Sequence, residues 1–164
     1  MPDDNEAIRS RLVQAVKNAM KEIAPLMKTD ILKAFDNEHG YHEDGSMAKW
    51  DELSPDYVRQ KPPRGRGGSS SPILNFEGDL RRGIDVRTSG FILFNEVVSS
   101  VMKARGKGDT IPVEDISSIL GATRPHTNPS KKFMDTTIPD ILNKHLLQAL
   151  DELVSEGKWR KNPY

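Results

Sequence analysis

Two histidines flanked by carboxylates are the first side chains in this sequence whose types and spacing could do chemistry. His39 and His42 are three residues apart, and acidic residues lie on both sides of them, namely Glu38, Glu43 and Asp44. A catalytic zinc site needs three protein ligands in a fixed geometry. Gly40 separates the two histidines at the predicted end of a helix, which leaves them poorly fixed. We therefore interpret this segment as a polar helix end, and we predict no metal site and no cofactor.

Motifs of the common catalytic classes are missing from the sequence. It has no cysteine, no G-x-S-x-G nucleophile motif and no P-loop. The glycine-rich run at 65–69 lacks the Gly-Lys-Ser/Thr ending of a phosphate-binding loop. Glu52 and Asp56 are four residues apart on a predicted surface turn, where nothing indicates the burial that general acid-base catalysis requires. We therefore predict that the chain is not an enzyme.

Basic side chains without neighbouring acids form local patches at 59–66 and 103–107. A pair of basic residues lies between these patches, at 81–82. These basic residues include Arg64, Arg66, Arg81, Arg82, Lys103 and Arg105, together with Arg59, Lys61 and Lys107. Such patches can contact a phosphate backbone without reading base sequence. Because 24 basic residues balance 24 acidic ones, no overall field attracts nucleic acid. A solvated surface is the ordinary interpretation, and a small nucleic-acid-binding module is the alternative function.

The composition predicts one polar domain. The chain has 164 residues, of which 35% are hydrophobic and 29% are charged. That length is enough for a single core, and the polarity suits a subunit that covers its surface in an assembly. The first residues are acidic and polar, unlike a signal peptide, and no apolar run approaches the roughly 20 residues that cross a bilayer. We expect folding in a reducing cytoplasm and no membrane association.

A long N-terminal helix is predicted over residues 4–39. Its apolar residues are spaced by threes and fours, which is typical of one buried helix face; they are Ile8, Leu12, Val16, Ala19, Met20, Ile23, Met27, Ile31, Ala34 and Phe35. Pro25 lacks a backbone donor, so we predict a kink or a break near Ala24. Gly40 is the predicted stop. A helix of this length, about 50 Å, often packs against neighbours in an oligomer.

The remaining elements are shorter. Residues 41–49 are predicted to be a polar turn, and the low-complexity run at 62–72 a flexible loop. Sheet strands are predicted over 84–102, with Phe91–Phe94 as the central strand. A helix is predicted over 112–120 and the last helix over 139–156, capped by Thr137 and ended by Gly157. The order predicts one α+β domain over 1–164, in which a small antiparallel sheet packs against the N-terminal and C-terminal helices.

Three segments together resemble one known family of proteins. The first is Trp50-x-x-Leu53-Ser54-Pro55-x-Tyr57, and the second is Ile73-Leu74-x-x-x-Gly78-x-Leu80-Arg81-x-x-Ile84. The third is Asn128–Met134, in which Pro129 and Phe133 match the outer positions of a family motif. In this order the segments resemble the virion morphogenesis, or tail-completion, proteins of tailed bacteriophages. Glu77 stands where the family usually has threonine, and residues 95–121 diverge from the family pattern.

The resemblance implies a non-enzymatic tail-terminator or neck subunit at the head–tail joint, assembled in the host cytoplasm. It implies a homo-oligomeric ring, usually six-fold, that contacts tail-tube and connector proteins and lets DNA pass through its lumen. Packing is the ordinary interpretation of the aromatic residues in the first segment, and an anchor at a subunit contact is the functional one. The interface residues that we predict are Trp50, Leu53, Tyr57, Arg64, Arg66, Gly78, Leu80, Arg81, Arg82, Lys103, Arg105 and Phe133.

Overall fold

The fold consists of two long helices and short antiparallel strand pairs, as the α+β prediction required. The computed structural model describes residues 4–37, 39–50, 83–97, 101–103, 110–112 and 127–158. Its elements in chain order are α1 (Asp4–Asp36), β1 (His39–Tyr41), β2 (Met47–Lys49), β3 (Ile84–Ser89), β4 (Ile92–Val97), β5 (Val101–Lys103), β6 (Thr110–Pro112), a π-helical turn (Phe133–Thr137) and α2 (Ile138–Ser155). Within these residues the strands form three antiparallel pairs: β1 with β2, β3 with β4, and β5 with β6.

Helix α1 is continuous through Pro25, so the predicted break near Ala24 is wrong. Pro25 is exposed, whereas Ala24 and Met27 on either side of it are buried. The missing N–H therefore falls on the solvent side, where water can solvate the carbonyl group that it leaves unpaired. The helix ends at Asp36 instead of Gly40, and the side chain and N–H of Asn37 both donate to the Lys33 carbonyl.

The core lies between the second half of α1, strand β3 and the start of the C-terminal helical segment, which covers residues 131–155. Its buried residues form one cluster: Ala19, Ile23, Ala24, Met27 and Ile31 of α1, then Trp50, Ile84, Val86, Phe133 and Ile141. The α1 members recur at spacings of three and four, as predicted for the helix stripe. Helix α1 packs against α2, β3, β4 and β1, which makes it the centre of the described structure.

Strands β1 and β2 form a hairpin where the sequence predicted only a polar turn. Gly40 pairs with Ala48 and is buried in β1, so it does not end the helix. The turn itself lies at 42–46, where the Gly45 N–H donates to the His42 carbonyl and the His42 N–H donates to the Ser46 carbonyl. Gly45 has φ of +75°, the left-handed conformation that follows a type I turn in many hairpins.

Strands β3 and β4 form the longest hairpin, with six residue pairs from Ile84 opposite Val97 to Ser89 opposite Ile92. This confirms strands in 84–97, but the turn is Gly90–Phe91, at the residue predicted to begin the central strand. Phe91 therefore lies in the turn. Among the described residues β4 pairs with β3 alone, so the predicted central strand is an outer one in this sheet.

The C-terminal helical segment starts eight residues before the predicted 139–156 helix. The backbone is helical from Lys131, passes through the π-helical turn and continues in α2. Thr137 has helical φ and ψ and makes no side-chain cap, so the predicted cap is wrong. Gly157 does end the helix: its φ is +70°, its N–H donates to the Val154 carbonyl, and the Lys158 N–H donates to the Leu153 carbonyl. This pair of bonds is a Schellman motif.

Other predicted elements fall largely outside the described residues. The 62–72 loop lies there, as does the 112–120 helix apart from Pro112, which belongs to β6. Lys103, which lies one residue beyond the predicted strand region 84–102, is the last residue of β5.

Among Gly45, Gly90 and Gly157, the described glycines with positive φ, Gly45 is the one whose replacement should cost the most stability. A Cβ there would lie 2.6 Å from Cα of Lys131 and would also clash with Met134, and alanine resists the positive φ. We expect Gly45→Ala to lower the free energy of unfolding by more than about 2 kcal/mol, measured by urea denaturation. Gly90→Ala is the control, because Gly90 shares the positive φ but has open space around it. Equal losses in the two variants would contradict a packing role for Gly45.

Candidate interface surfaces

The predicted interface residues that the structure describes are mostly core residues. Trp50 is 1% exposed and Phe133 is 6% exposed, and both belong to the central cluster. For Trp50 this agrees with the packing interpretation, and the burial of both side chains argues against direct contact with another subunit. Lys103 lies in β5 opposite Thr110. The other nine predicted positions lie outside the described residues: Leu53, Tyr57, Arg64, Arg66, Gly78, Leu80, Arg81, Arg82 and Arg105.

One residue from each of the three segments that carry the family resemblance lies in the same core. Trp50 opens the first segment, Ile84 closes the second, and Phe133 belongs to the third. All three side chains are buried in one cluster with Ile23, Met27 and Ile31 of α1. Since these three residues are far apart in sequence, the core that they share joins distant parts of the chain.

A polar junction fixes the third segment against α1 and the first hairpin. The Asp30 carboxylate accepts hydrogen bonds from the Ser130 N–H at 2.7 Å and from the Ser130 hydroxyl at 3.1 Å. The same hydroxyl oxygen accepts the Phe133 N–H at 3.1 Å, which makes Ser130 the N-cap of the C-terminal helical segment. The Gly45 carbonyl accepts the Lys131 N–H at 2.9 Å. In the first helical turn the Lys131 N–H is thus paired by the first hairpin and the Phe133 N–H by the N-cap side chain.

Tyr41 lies close to this junction. Its backbone carbonyl accepts a hydrogen bond from the Asn128 side chain at 3.1 Å. Burial raises the pKa of the Tyr41 hydroxyl, and the nearby negative charge of Asp30 raises it further. Tyr41 therefore stays protonated at neutral pH and can act as a donor. Its hydroxyl lies 3.1 Å from Nε2 of His39, whose Nδ1 is 3.3 Å from the Asn37 carbonyl.

A row of ion pairs crosses the surface between α1 and α2. Arg11 contacts Glu152 and Glu156, each at 2.8 Å. Farther along, Glu22 contacts Lys144 at 2.9 Å and Nε2 of His145 at 2.7 Å. The bonds from Lys144 and His145 hold the pKa of the Glu22 carboxyl below its usual range. These pairs also show that the two helices run antiparallel.

A second set of charges joins the sheet to α1. Lys28 lies 3.3 Å from one oxygen of Asp85, and Nε of Arg87 lies 2.9 Å from the other. The Arg87 bond, followed by Lys28, lowers the pKa of the Asp85 carboxyl against the opposing effect of its partial burial. These charged side chains have structural partners in the chain.

The most accessible apolar side chains were missed by the sequence analysis. Five large ones are exposed: Leu26 at 43%, Phe91 at 52%, Ile92 at 57%, Leu147 at 61% and Met47 at 69%. Phe91 and Ile92 lie at the tip of the β3–β4 hairpin, and the apolar run that they begin had suggested a buried strand. Their exposure follows from the position of the turn, which apolar content alone does not reveal.

An open groove lies beside Leu26, between α1 and the start of the C-terminal helical segment. Its volume is about 320 Å³. It is lined by Leu26, Thr29, Asp30, Lys33, Ser130, Lys132, Phe133 and Thr137. Because the Asp30–Ser130 junction forms one of its walls, the same hydrogen bonds that start the helical segment shape this groove.

The histidine segment is divided between two elements. His39 lies in β1 and His42 begins the following turn, whereas Asp44 accepts bonds from the N–H and hydroxyl of Ser46. In the part of the chain that the structure describes, no three histidine, cysteine or acidic residues are grouped as a metal site would require. Glu38 lies outside that part.

Comparison with known proteins gives no relative for this chain. No protein-family model, no curated protein and no solved structure matches it. Neither of the long helices in the described residues has the uninterrupted apolar length needed to span a membrane. The resemblance to tail-completion proteins therefore depends on the three short segments.

The Asp30–Ser130 contact should contribute measurably to stability. We expect Ser130→Ala to lower the free energy of unfolding by about 1 kcal/mol, the usual cost of a lost N-cap, and Asp30→Ala by about 1.5–3 kcal/mol because a charged acceptor is lost. Urea denaturation of both variants and of the double variant gives the coupling energy. Ser155→Ala, which removes an exposed hydroxyl bonded to the Glu152 carbonyl, is the control. Additive losses would show that Asp30 and Ser130 do not act together.

The Glu22 ion pairs should make stability depend on pH on the acid side. The pKa of Glu22 is lowered in the folded chain, so its contribution is complete above the unfolded value near 4.3 and is lost as pH falls through the folded value. We expect Glu22→Gln to flatten the acid limb of the plot of unfolding free energy against pH at low ionic strength. Glu6→Gln, at an exposed position on the same helix, is the control. If the acid limb of Glu22→Gln were as steep as that of the wild type, Glu22 would not be a source of the pH dependence.

Proposed function

We propose that this chain is a non-enzymatic structural protein of a tailed bacteriophage, a tail-completion or neck subunit that forms a ring at the head–tail joint. Copies would associate around a lumen through which DNA passes, and the ring would contact tail-tube and connector proteins. The protein would be made in the host cytoplasm and would reside in the virion.

One observation supports this proposal above the others. Trp50, Ile84 and Phe133 come from the three segments that resemble the tail-completion family, and their side chains share one core. Segments of one family domain are expected to share a core, and each of these three contributes one residue to the same core. This shared core supports the presence of the family's domain. The ring is inferred from the family resemblance.

The character of the described surface is compatible with a structural role. The charged residues Arg11, Glu22 and Asp85 form ion pairs that join elements of the chain. Helix α1 has 33 residues and spans about 50 Å, longer than the core that it covers. A helix of this length offers a neighbouring subunit a continuous surface.

The experiment is to measure the assembly state with and without the proposed partners. Native mass spectrometry and negative-stain electron microscopy of the full chain, alone and mixed with tail-tube or connector protein encoded beside its gene, should show a ring of several copies. Mass spectrometry of purified phage particles should find the chain in a fixed copy number. The virion assignment predicts both results.

A single species of monomer mass under all of these conditions would contradict the proposal. Retention on duplex or single-stranded DNA that weakens steeply with salt, in a protein that remains monomeric, would instead favour the nucleic-acid-binding alternative. Non-specific contact with DNA inside a ring would show both behaviours together.

A further inference from the structure

We propose that Asp44–Gly45 is a site of self-modification, at which aspartate converts to isoaspartate through a cyclic succinimide, and that the folded chain keeps this site closed. The site opens when the first hairpin, β1 with β2, separates from the C-terminal helical segment. The inference concerns the chemistry of the chain itself and does not depend on the proposed function.

Asp44 and Gly45 form the kind of dipeptide that undergoes this reaction most readily. A glycine after an aspartate has no Cβ to hinder attack by its backbone nitrogen on the aspartate side chain. The sequence contains a single Asp-Gly pair, and it contains no Asn-Gly pair, which would form the same ring. The Asp44 side chain is exposed, so water can reach it. The sequence therefore favours this reaction at the turn of the first hairpin.

The reaction needs no reagent other than water. The Gly45 nitrogen loses its proton and bonds to Cγ of the protonated Asp44 carboxyl group, whose hydroxyl leaves as water. The cyclic imide then takes up water. If the bond between the nitrogen and Cγ breaks, aspartate is restored. If the bond between the nitrogen and the Asp44 backbone carbonyl carbon breaks, isoaspartate forms and the main chain runs through Cβ and Cγ.

In the folded chain both reacting groups are engaged in other bonds. The Gly45 N–H donates to the His42 carbonyl at 2.9 Å. One oxygen of the Asp44 carboxylate accepts the Ser46 N–H at 2.9 Å and the Ser46 hydroxyl at 2.6 Å. These two bonds, that of the hydroxyl first, hold the pKa of the Asp44 carboxyl below its usual range. The carboxylate therefore stays ionised at neutral pH, and an ionised carboxylate is a poor target for a nucleophile.

The surroundings of Gly45 also oppose the backbone rotation that ring closure requires. Gly45 is buried, and the backbone of Lys131 and the side chain of Met134 lie so close that even a methyl group would clash with them. The Gly45 carbonyl accepts the Lys131 N–H. Lys131 follows Ser130, the residue bonded to Asp30. The junction that starts the C-terminal helical segment therefore also keeps the modification site closed.

Isoaspartate at position 44 would in turn hold the junction open. The main chain would gain a methylene group beside Gly45, which has no room to move. The displaced Gly45 carbonyl would lose its bond to the Lys131 N–H. A transient opening would thus become permanent, and the amount of isoaspartate would record how often the junction had opened.

The experiment measures uptake of heavy oxygen from labelled water by the full chain at neutral pH. Each passage through the succinimide leaves a solvent oxygen in a carboxyl group, and peptide mapping by mass spectrometry locates it. We expect uptake at Asp44 to be at least about tenfold slower in the folded chain than in the chain unfolded in urea, because only the open fraction reacts. Asp44→Glu, whose longer side chain closes a ring poorly, should abolish uptake at this position.

Two further variants test whether the junction controls the opening. Ser130→Ala should speed uptake in the folded chain about fivefold, the effect that a typical lost N-cap has on an opening equilibrium. Leu153→Val is the matched control, because it removes a buried methylene group at the other end of the C-terminal helical segment; it should react like the wild type. Urea denaturation checks that both variants lose similar stability, and both should match the wild type when unfolded.

Four results would overturn the inference. Equal uptake in the folded and unfolded chains would show that the fold does not protect the site, and no uptake in urea would show that the site is unreactive. A folded Ser130→Ala chain that reacts no faster than the wild type would separate the site from the junction. Equal acceleration by Ser130→Ala and Leu153→Val would show that the reaction passes through global unfolding.

The modified chain gives an independent readout of the consequence. After chromatographic separation, the isoaspartyl chain should exchange the Lys131 N–H hydrogen at least about tenfold faster than the unmodified chain, because the bond to the Gly45 carbonyl is lost. Equal exchange in the two chains would contradict the claim that the modification holds the junction open.

Discussion

Burial of one face of α1 is the constraint on which the other described elements depend. The sheet, the first hairpin and α2 all pack on this helix, and Ile23 and Ile31 are fully covered by them. Leaving these side chains in water would cost roughly 1.5–3 kcal/mol each. The same packing explains why the helix continues through Pro25, since a break there would separate Ile23 and Ala24 from Met27 within a single cluster.

The polar contacts determine where the other elements lie on that helix. Apolar packing tolerates small shifts along a helix stripe, whereas the bonds from Ser130 to Asp30 and from Lys131 to Gly45 specify one alignment. The exposed ion pairs, such as those of Arg11, contribute less because water competes for them. Alignment of the helical segment also shapes the groove, since Asp30 and Ser130 line it. A substitution at this junction would therefore change the surface as well as the stability.

The parts that the sequence could predict are those with long, repeated local patterns. Both helices followed from apolar residues spaced by threes and fours, and β3 followed from alternation at 84–88. The three-residue strands β1 and β2 are too short for alternation to appear. Ser130 carries a local signal for a helix start, since it precedes the helix by one residue, but Thr137 and Pro139 carry a stronger one. Its partner Asp30 is 100 residues away, and no local pattern reveals such a contact.

The residues exposed at the surface were harder to predict from the sequence than the residues of the core. Phe91 and Ile92 look like buried residues by composition, and only the register of β3 with β4 places them at an exposed turn. Trp50 and Phe133 look like interface anchors by residue type, yet both are covered by the chain itself. Burial depends on which distant segments meet, so residue type is a weak guide to which aromatic residue faces a partner.

The antiparallel pairing of α1 with α2 also determines when the protein can fold. Arg11 and Glu152 are 141 residues apart in the chain, and Phe133 and Ile141 complete the core that α1 begins. During synthesis α1 leaves the ribosome before α2, so the part of its apolar stripe that α2 covers stays open until α2 has been made. Contacts between such distant residues form slowly because a long loop must close first. Newly made chains therefore pass through a period in which α1 is available to chaperones, or to the same stripe on a neighbouring nascent chain.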